Sequence, residues 1–172
     1  MNELIELVEK WSIERKLNVA DPNMQRLKLW EEFGELNAAV ARDNRDDVVD
    51  AIGDMCVVMI VLCQQLNYNA ADYFNSVNVK YLKHLDVVTL LDYSGYGIVE
   101  MRNRIINTTN VIDALTVIAE RYDTTLEGCL IAAYKVIKDR KGKMINGVFV
   151  KESDLIIEWR KAIDNEDDWC TW

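Results

Sequence analysis

The sequence is nearly free of residues that interrupt helices. Among its 172 residues there is one proline, Pro22, and only seven glycines. So little punctuation favours helices along most of the chain. Histidine is almost absent too: His84 stands alone, with no partner near it in sequence, and reads as a surface or helix-packing residue. No Ser/His/Asp arrangement, phosphate-binding P-loop or glycine-rich dinucleotide fingerprint is present. The four cysteines, Cys56, Cys63, Cys129 and Cys170, lack zinc-type spacing and read as small core residues in a reducing cytosol. Positive charge is short: 20 Lys and Arg stand against 29 Asp and Glu, for a net charge of −9. That argues against a nucleic-acid partner, which needs a basic footprint, but leaves room for a nucleotide that arrives with its own metal. The longest apolar run, Met55 to Cys63, is too short to cross a bilayer. No basic-apolar-small leader opens the chain, so the expectation is a cytoplasmic protein with no membrane partner.

What is present is helical periodicity. Leu4, Ile5, Val8, Trp11 and Ile13 give an amphipathic first helix over 2–15. The Asp21-Pro22 step breaks it, and Leu29, Phe33, Leu36 and Val40 stripe a second helix over 24–42. Asp43 to Asp46 is a polar turn whose acids suit the start of a third helix, reaching about Leu66. Further on, the pattern predicts a helix from Ala70 through His84 and a loop at Tyr93–Gly97. Helical stretches near 98–106 and 111–121 follow. Thr124 or Thr125 caps a helix to Lys138, and Met144–Phe149 reads as a hairpin turning at Asn146-Gly147. Residues 62–74 faintly parallel 118–130, a likeness read as two similar helix junctions meeting by chance. Residues 156–172 form a C-terminal tail that ends in acids and two tryptophans.

The chemistry lies in two acidic sets. Glu31, Glu32 and Glu35 share the second helix; Asp47, Asp50 and Asp54 share the third. Residues three and four apart lie on one helix face, so Glu32/Glu35 and Asp50/Asp54 each form a carboxylate pair. Asp54 opens an apolar run, where a bare charge is costly. Acids packed this densely repel unless a cation sits between them, and hard oxygen ligands suit Mg2+. The sequence therefore points to a magnesium site between two antiparallel helices, with Glu32, Glu35 and Asp54 at its centre. Glu31 divides evenly between an outward-facing and a supporting role, and Asp47 reads as an ordinary early-turn acid. The run Lys135–Lys143 carries five basic residues in an acidic protein and is a candidate counter-charge for a triphosphate. Trp11 and Trp30 read first as packing residues and second as stacking partners for a base. Tyr93 and Tyr96 read as part of a plain loop, with a mobile lid as the lesser alternative.

The residues Glu31-Glu32-Phe33-Gly34-Glu35, with Asp54 on the following helix, resemble the MazG-like all-α nucleoside triphosphate pyrophosphohydrolases, in particular phage-type members. The resemblance covers roughly 20–66 and 118–155, so residues 75–117 read as a helical insertion in a single MazG-like bundle of 1–172. Ala51 departs from the family pattern, which has Glu at the position three before Asp54; Asp50 is the candidate replacement ligand. The resemblance implies conversion of a (d)NTP to (d)NMP and pyrophosphate, with Glu32, Glu35, Asp50 and Asp54 on Mg2+ and Glu31 or Glu35 accepting the proton. It implies phosphate contacts from Lys138, Arg140 and Lys141, with Gln25 and Lys28 as further candidates. It also implies a homodimer or homotetramer in the cytoplasm, the host's if the protein is phage-encoded. A narrower all-α dUTPase or dCTPase is the alternative enzyme. A non-catalytic nucleotide-sensing or partner-docking module is the alternative outside enzymes.

Overall fold

The structure, a computed structural model, describes residues 1–101, 108–145 and 148–152. Helix α1 (Asn2–Glu14) buries Ile5, Val8 and Trp11, and a short 3-10 turn at Leu17–Val19 follows. In α2 (Pro22–Ala41) the Asp21 carboxylate accepts the Asn23 N–H at 2.9 Å, and Pro22 occupies the first turn, where its missing donor costs nothing. In α3 (Arg45–Gln65) the Asn44 side chain caps the N–H groups of Asp46 and Asp47. From Met55 to Cys63 every residue of α3 is buried, so this helix forms the axis of the bundle. Helix α4 (Ala70–Phe74), α5 (Val87–Glu100), α6 (Thr108–Arg121) and α7 (Leu126–Ile137) complete the helical set among the described residues. The result is an all-α bundle, as the sequence predicts. Strands β1 (Gly142–Ile145) and β2 (Val148–Lys151) pair antiparallel with Ile145 opposite Val148. The hairpin is therefore present, while its turn, Asn146-Gly147, lies outside the described residues.

Two neighbours of α3 matter for the site. Helix α2 runs antiparallel to it: the Gln25 side chain reaches the Val58 carbonyl at 3.4 Å, and Arg42 and Asn44 turn the chain back at the other end. Helix α7 packs on another face, with the start of α3 held to the α6–α7 junction by Arg45, which donates to the carbonyls of Tyr122 and Asp123. Gly53 permits that approach, because a Cβ there would lie 2.4 Å from the Cys129 carbonyl oxygen.

The junctions explain the faint repeat. Asp43, Asn67 and Asp123 each adopt positive φ, at 50°, 58° and 52°. After each, an N–H returns to a carbonyl five residues earlier: Asn44 to Ala39, Tyr68 to Cys63, Thr124 to Ala119. Asn44, Asn69 and Thr125 then cap the next helix. The likeness of 62–74 to 118–130 is this shared turn chemistry, and the third instance at Asp43 lies outside the repeat.

Two stretches differ from the sequence reading. The helix from Ala70 stops at Phe74 instead of running through His84, which is exposed. Partners on α6 take the polar groups of this segment: the Asp113 carboxylate accepts the Asn78 N–H at 2.8 Å, and Arg121 donates to the Leu85 carbonyl. The expected loop at Tyr93–Gly97 is helical and lies inside α5. Its glycines serve packing: a Cβ on Gly95 would lie 3.3 Å from the Phe33 ring, and one on Gly97 2.7 Å from Val111 Cγ2. The stretch predicted over 98–106 ends at Glu100, residues 102–107 lying outside the described set. The tail at 156–172 lies outside it as well.

Candidate functional site

Helices α2 and α3 bring their acids to one side of the bundle. Glu32 is the inward member, only 3% exposed. One of its oxygens, Oε1, lies 2.7 Å from the Lys28 ammonium; the other, Oε2, is buried without a hydrogen-bond partner. Burial pushes its carboxyl up from 4.5 to about 7; Lys28 opposes the rise, and the negative charges of Asp54 and Glu35 add to it. Glu32 thus stands close enough to Asp54 and Glu35 to sense their charges. Lys28 also lies 3.0 Å from Glu31, which is exposed. Burial would lower the Lys28 pKa, but its two carboxylate partners outweigh that and raise it.

Beside this group, Glu35, Asp47, Asp50 and Arg42, with Ala38 and Ala39, line a cavity of about 220 Å³. That is room for several waters, which suits a cation that keeps part of its hydration. Ala51 is buried in the core, while Asp50, one position earlier, faces the cavity. The donor set is hard oxygen and Glu32 Oε2 has no hydrogen-bond partner, so the donor chemistry, though not the arrangement of the side chains, suits a Mg2+-like ion. Among the described residues no group of three or more Asp, Glu, His or Cys side chains is placed to hold a metal ion. The cation closest to the buried acid is the Lys28 ammonium.

The remaining candidates are placed elsewhere. Gln25 lies deeper along α2, donating to the Val58 carbonyl. Lys138 and Arg140 follow the end of α7; their carbonyls accept from Arg15, and the Lys138 ammonium lies 3.8 Å from Asp139. Lys141 follows, its carbonyl accepting the Glu152 N–H. No described contact brings this basic run to Glu32 or Glu35. Trp11 is locked in the core with its indole N–H on the Ile137 carbonyl at 2.8 Å. Trp30 is 40% exposed and lies edge-on to Phe33, one residue from Glu31. Sequence reasoning passed over Arg42. Its signal was slight: a basic residue just before the turn that joins the two acidic helices.

Fold and site together define a class: an all-helical bundle with carboxylates gathered between two antiparallel helices. Residues 3–80 match the family model of phosphoribosyl-ATP pyrophosphohydrolase, a family of the all-helical MazG-like superfamily. The matched region contains all the acids of the α2–α3 site and stops short of the basic run. The chain is also 42% identical over 66 residues to the "Uncharacterized 18.2 kDa protein in rep-hol intergenic region" of Haemophilus phage HP1 (strain HP1c1). That match covers 38% of this chain and 40% of the phage protein, well under two thirds of its length. No solved structure matches the chain. The similarity is thus to nucleotide pyrophosphohydrolases, over the part of the chain that holds the acids.

Proposed function

We propose that the protein is a Mg2+-dependent nucleoside triphosphate pyrophosphohydrolase that releases the nucleoside monophosphate and pyrophosphate. The observation that carries this reading is Glu32: a buried carboxylate with one unpartnered oxygen, facing the charges of Asp54 and Glu35 within the segment similar to pyrophosphohydrolases. Glu32, Glu35, Asp50 and Asp54 would hold the ion. Bound there, Mg2+ would neutralise phosphate charge and acidify a water. Glu31, exposed at the rim, or Glu35, on the cavity wall, would accept the proton of the attacking water. Arg42, at the cavity, would take a phosphoryl oxygen as charge builds there. Lys28 and Gln25 would add contacts along α2. Lys138, Arg140 and Lys141 would contribute from the end of α7. Trp30 offers a face for a base beside Glu31.

Pyrophosphate release from a panel of NTPs, dNTPs and phosphoribosyl-ATP, with and without Mg2+, tests the reading. Metal-dependent release that Glu35→Gln abolishes supports it and ranks the substrates; strong preference for dUTP or dCTP would select the narrower enzyme. Absence of turnover from a folded protein that still binds a nucleotide would favour the sensing module, which the Ala51 departure makes the second reading.

A further inference from the structure

Lys28 bridges two carboxylates of the acidic site. Its ammonium touches the buried Glu32 at 2.7 Å and the exposed Glu31 at 3.0 Å, joining the two carboxylates one turn along α2. Glu32 Oε2, by contrast, has no partner. A single positive charge therefore stands at the mouth of a carboxylate group that it satisfies only in part.

We propose that Lys28 is an internal counter-ion that occupies the acidic site in place of the divalent cation and is displaced when the cation binds. This inference rests on the metal-site reading above and adds a regulatory step to it. A buried carboxylate is costly without a positive partner, and in the absence of metal Lys28 supplies one. Its ammonium covers Oε1 and leaves Oε2 bare; a divalent ion carries twice the charge and is satisfied by several oxygens at once. Two cations on the one Glu32 carboxylate repel each other, which disfavours Lys28 and the divalent ion sharing it. Lys28 can leave at small cost. Its side chain is 44% exposed, and its four-carbon stem can carry the ammonium into water. Displacement releases Glu31 from the same clamp, freeing the rim carboxylate to accept a proton. The ammonium, tethered one turn from Glu32, stays beside the anionic substrate that the metal brings. Metal entry would thus assemble both a base and a phosphate contact.

Calorimetric titration of Mg2+ and Mn2+ at pH 8 into wild type, Lys28→Met and Lys28→Arg tests the competition. Removing a competitor that fills the site in most molecules should tighten metal binding about 5- to 10-fold in Lys28→Met, with Lys28→Arg close to wild type. Metal-free Lys28→Met should also melt lower than wild type, and saturating metal should close the gap. A second readout needs no variant: acetylation of wild-type Lys28, followed by mass spectrometry, should speed up severalfold when Mg2+ saturates the protein. Wild type that binds metal while Lys28→Met binds it equally or more weakly would overturn the proposal, as would unchanged acetylation. If neither protein binds either ion, the metal-site reading has failed, and the counter-ion proposal falls with it.

Discussion

At the scale of single residues, Glu32 couples stability to function. Its folded pKa of about 7 lies above its ordinary 4.5, so between those values the folded protein keeps a proton that the unfolded chain has lost. Metal-free protein should therefore lose stability as pH rises from about 4.5 to 7, by at most about 3 kcal/mol, and level off above that. Urea denaturation in EDTA at pH 5 and pH 8 measures the slope. Glu32→Gln should flatten it and make the metal-free protein more stable at pH 8, while abolishing metal-dependent pyrophosphate release. A variant as pH-sensitive as wild type would assign the slope elsewhere. Arg42 tests the substrate side. Its guanidinium forms no ion pair among the described residues. Arg42→Ala should leave the melting temperature nearly unchanged while kcat/KM falls roughly 10- to 100-fold, as expected for a lost charge-assisted phosphate contact. A loss of stability with unchanged kinetics would make it a structural residue.

At the scale of elements, close helix contacts position the acids. Gly53 lets α7 approach α3 at the level of Asp54. Gly53→Ala should cost about 1–3 kcal/mol or more, because the added methyl meets backbone and cannot be accommodated by a rotamer change. The urea midpoint would report it; a neutral effect would mean that the two helices have room to separate. Capping was legible in part: the polar turn at Asp43–Asp46 and the Thr124-Thr125 pair marked two helix starts, and the structure gives the caps to Asn44 and Thr125, each two or three residues from the N–H groups it satisfies. The stretches at 75–86 and 93–97 were not. Asp113 and Arg121 take over backbone groups more than thirty residues away, and the glycines at 95 and 97 look like a loop until Phe33 and Val111 are seen against them.

At the scale of the whole molecule, the outer side of α2 bears on assembly. Met24, Leu27 and Trp30 are exposed at helical spacing beside the acids. The homodimer or homotetramer implied by the sequence resemblance would use such a face. Leu27→Lys should then lower the mass measured by light scattering and reduce turnover together; an unchanged mass would remove α2 from the interface. No helix among the described residues is long and apolar enough to cross a membrane.

What the sequence determined by itself was of short range. The 3.6-residue periodicity marked the first three helices and the last, the polar turn at Asp43–Asp46 and the Thr124-Thr125 pair marked two of their starts, and the spacing of Glu32, Glu35, Asp50 and Asp54 set the pairing of acids on each helix. These follow from contacts within a turn or two of the chain. Only the tertiary structure decided that Glu32 is the buried acid while Glu31 and Glu35 are exposed, that Lys28 is clamped between Glu31 and Glu32, and that Arg42 shares a cavity with Glu35 and Asp50. Burial and charge coupling depend on which helix faces are pressed together, and that is settled by side chains far apart in the sequence.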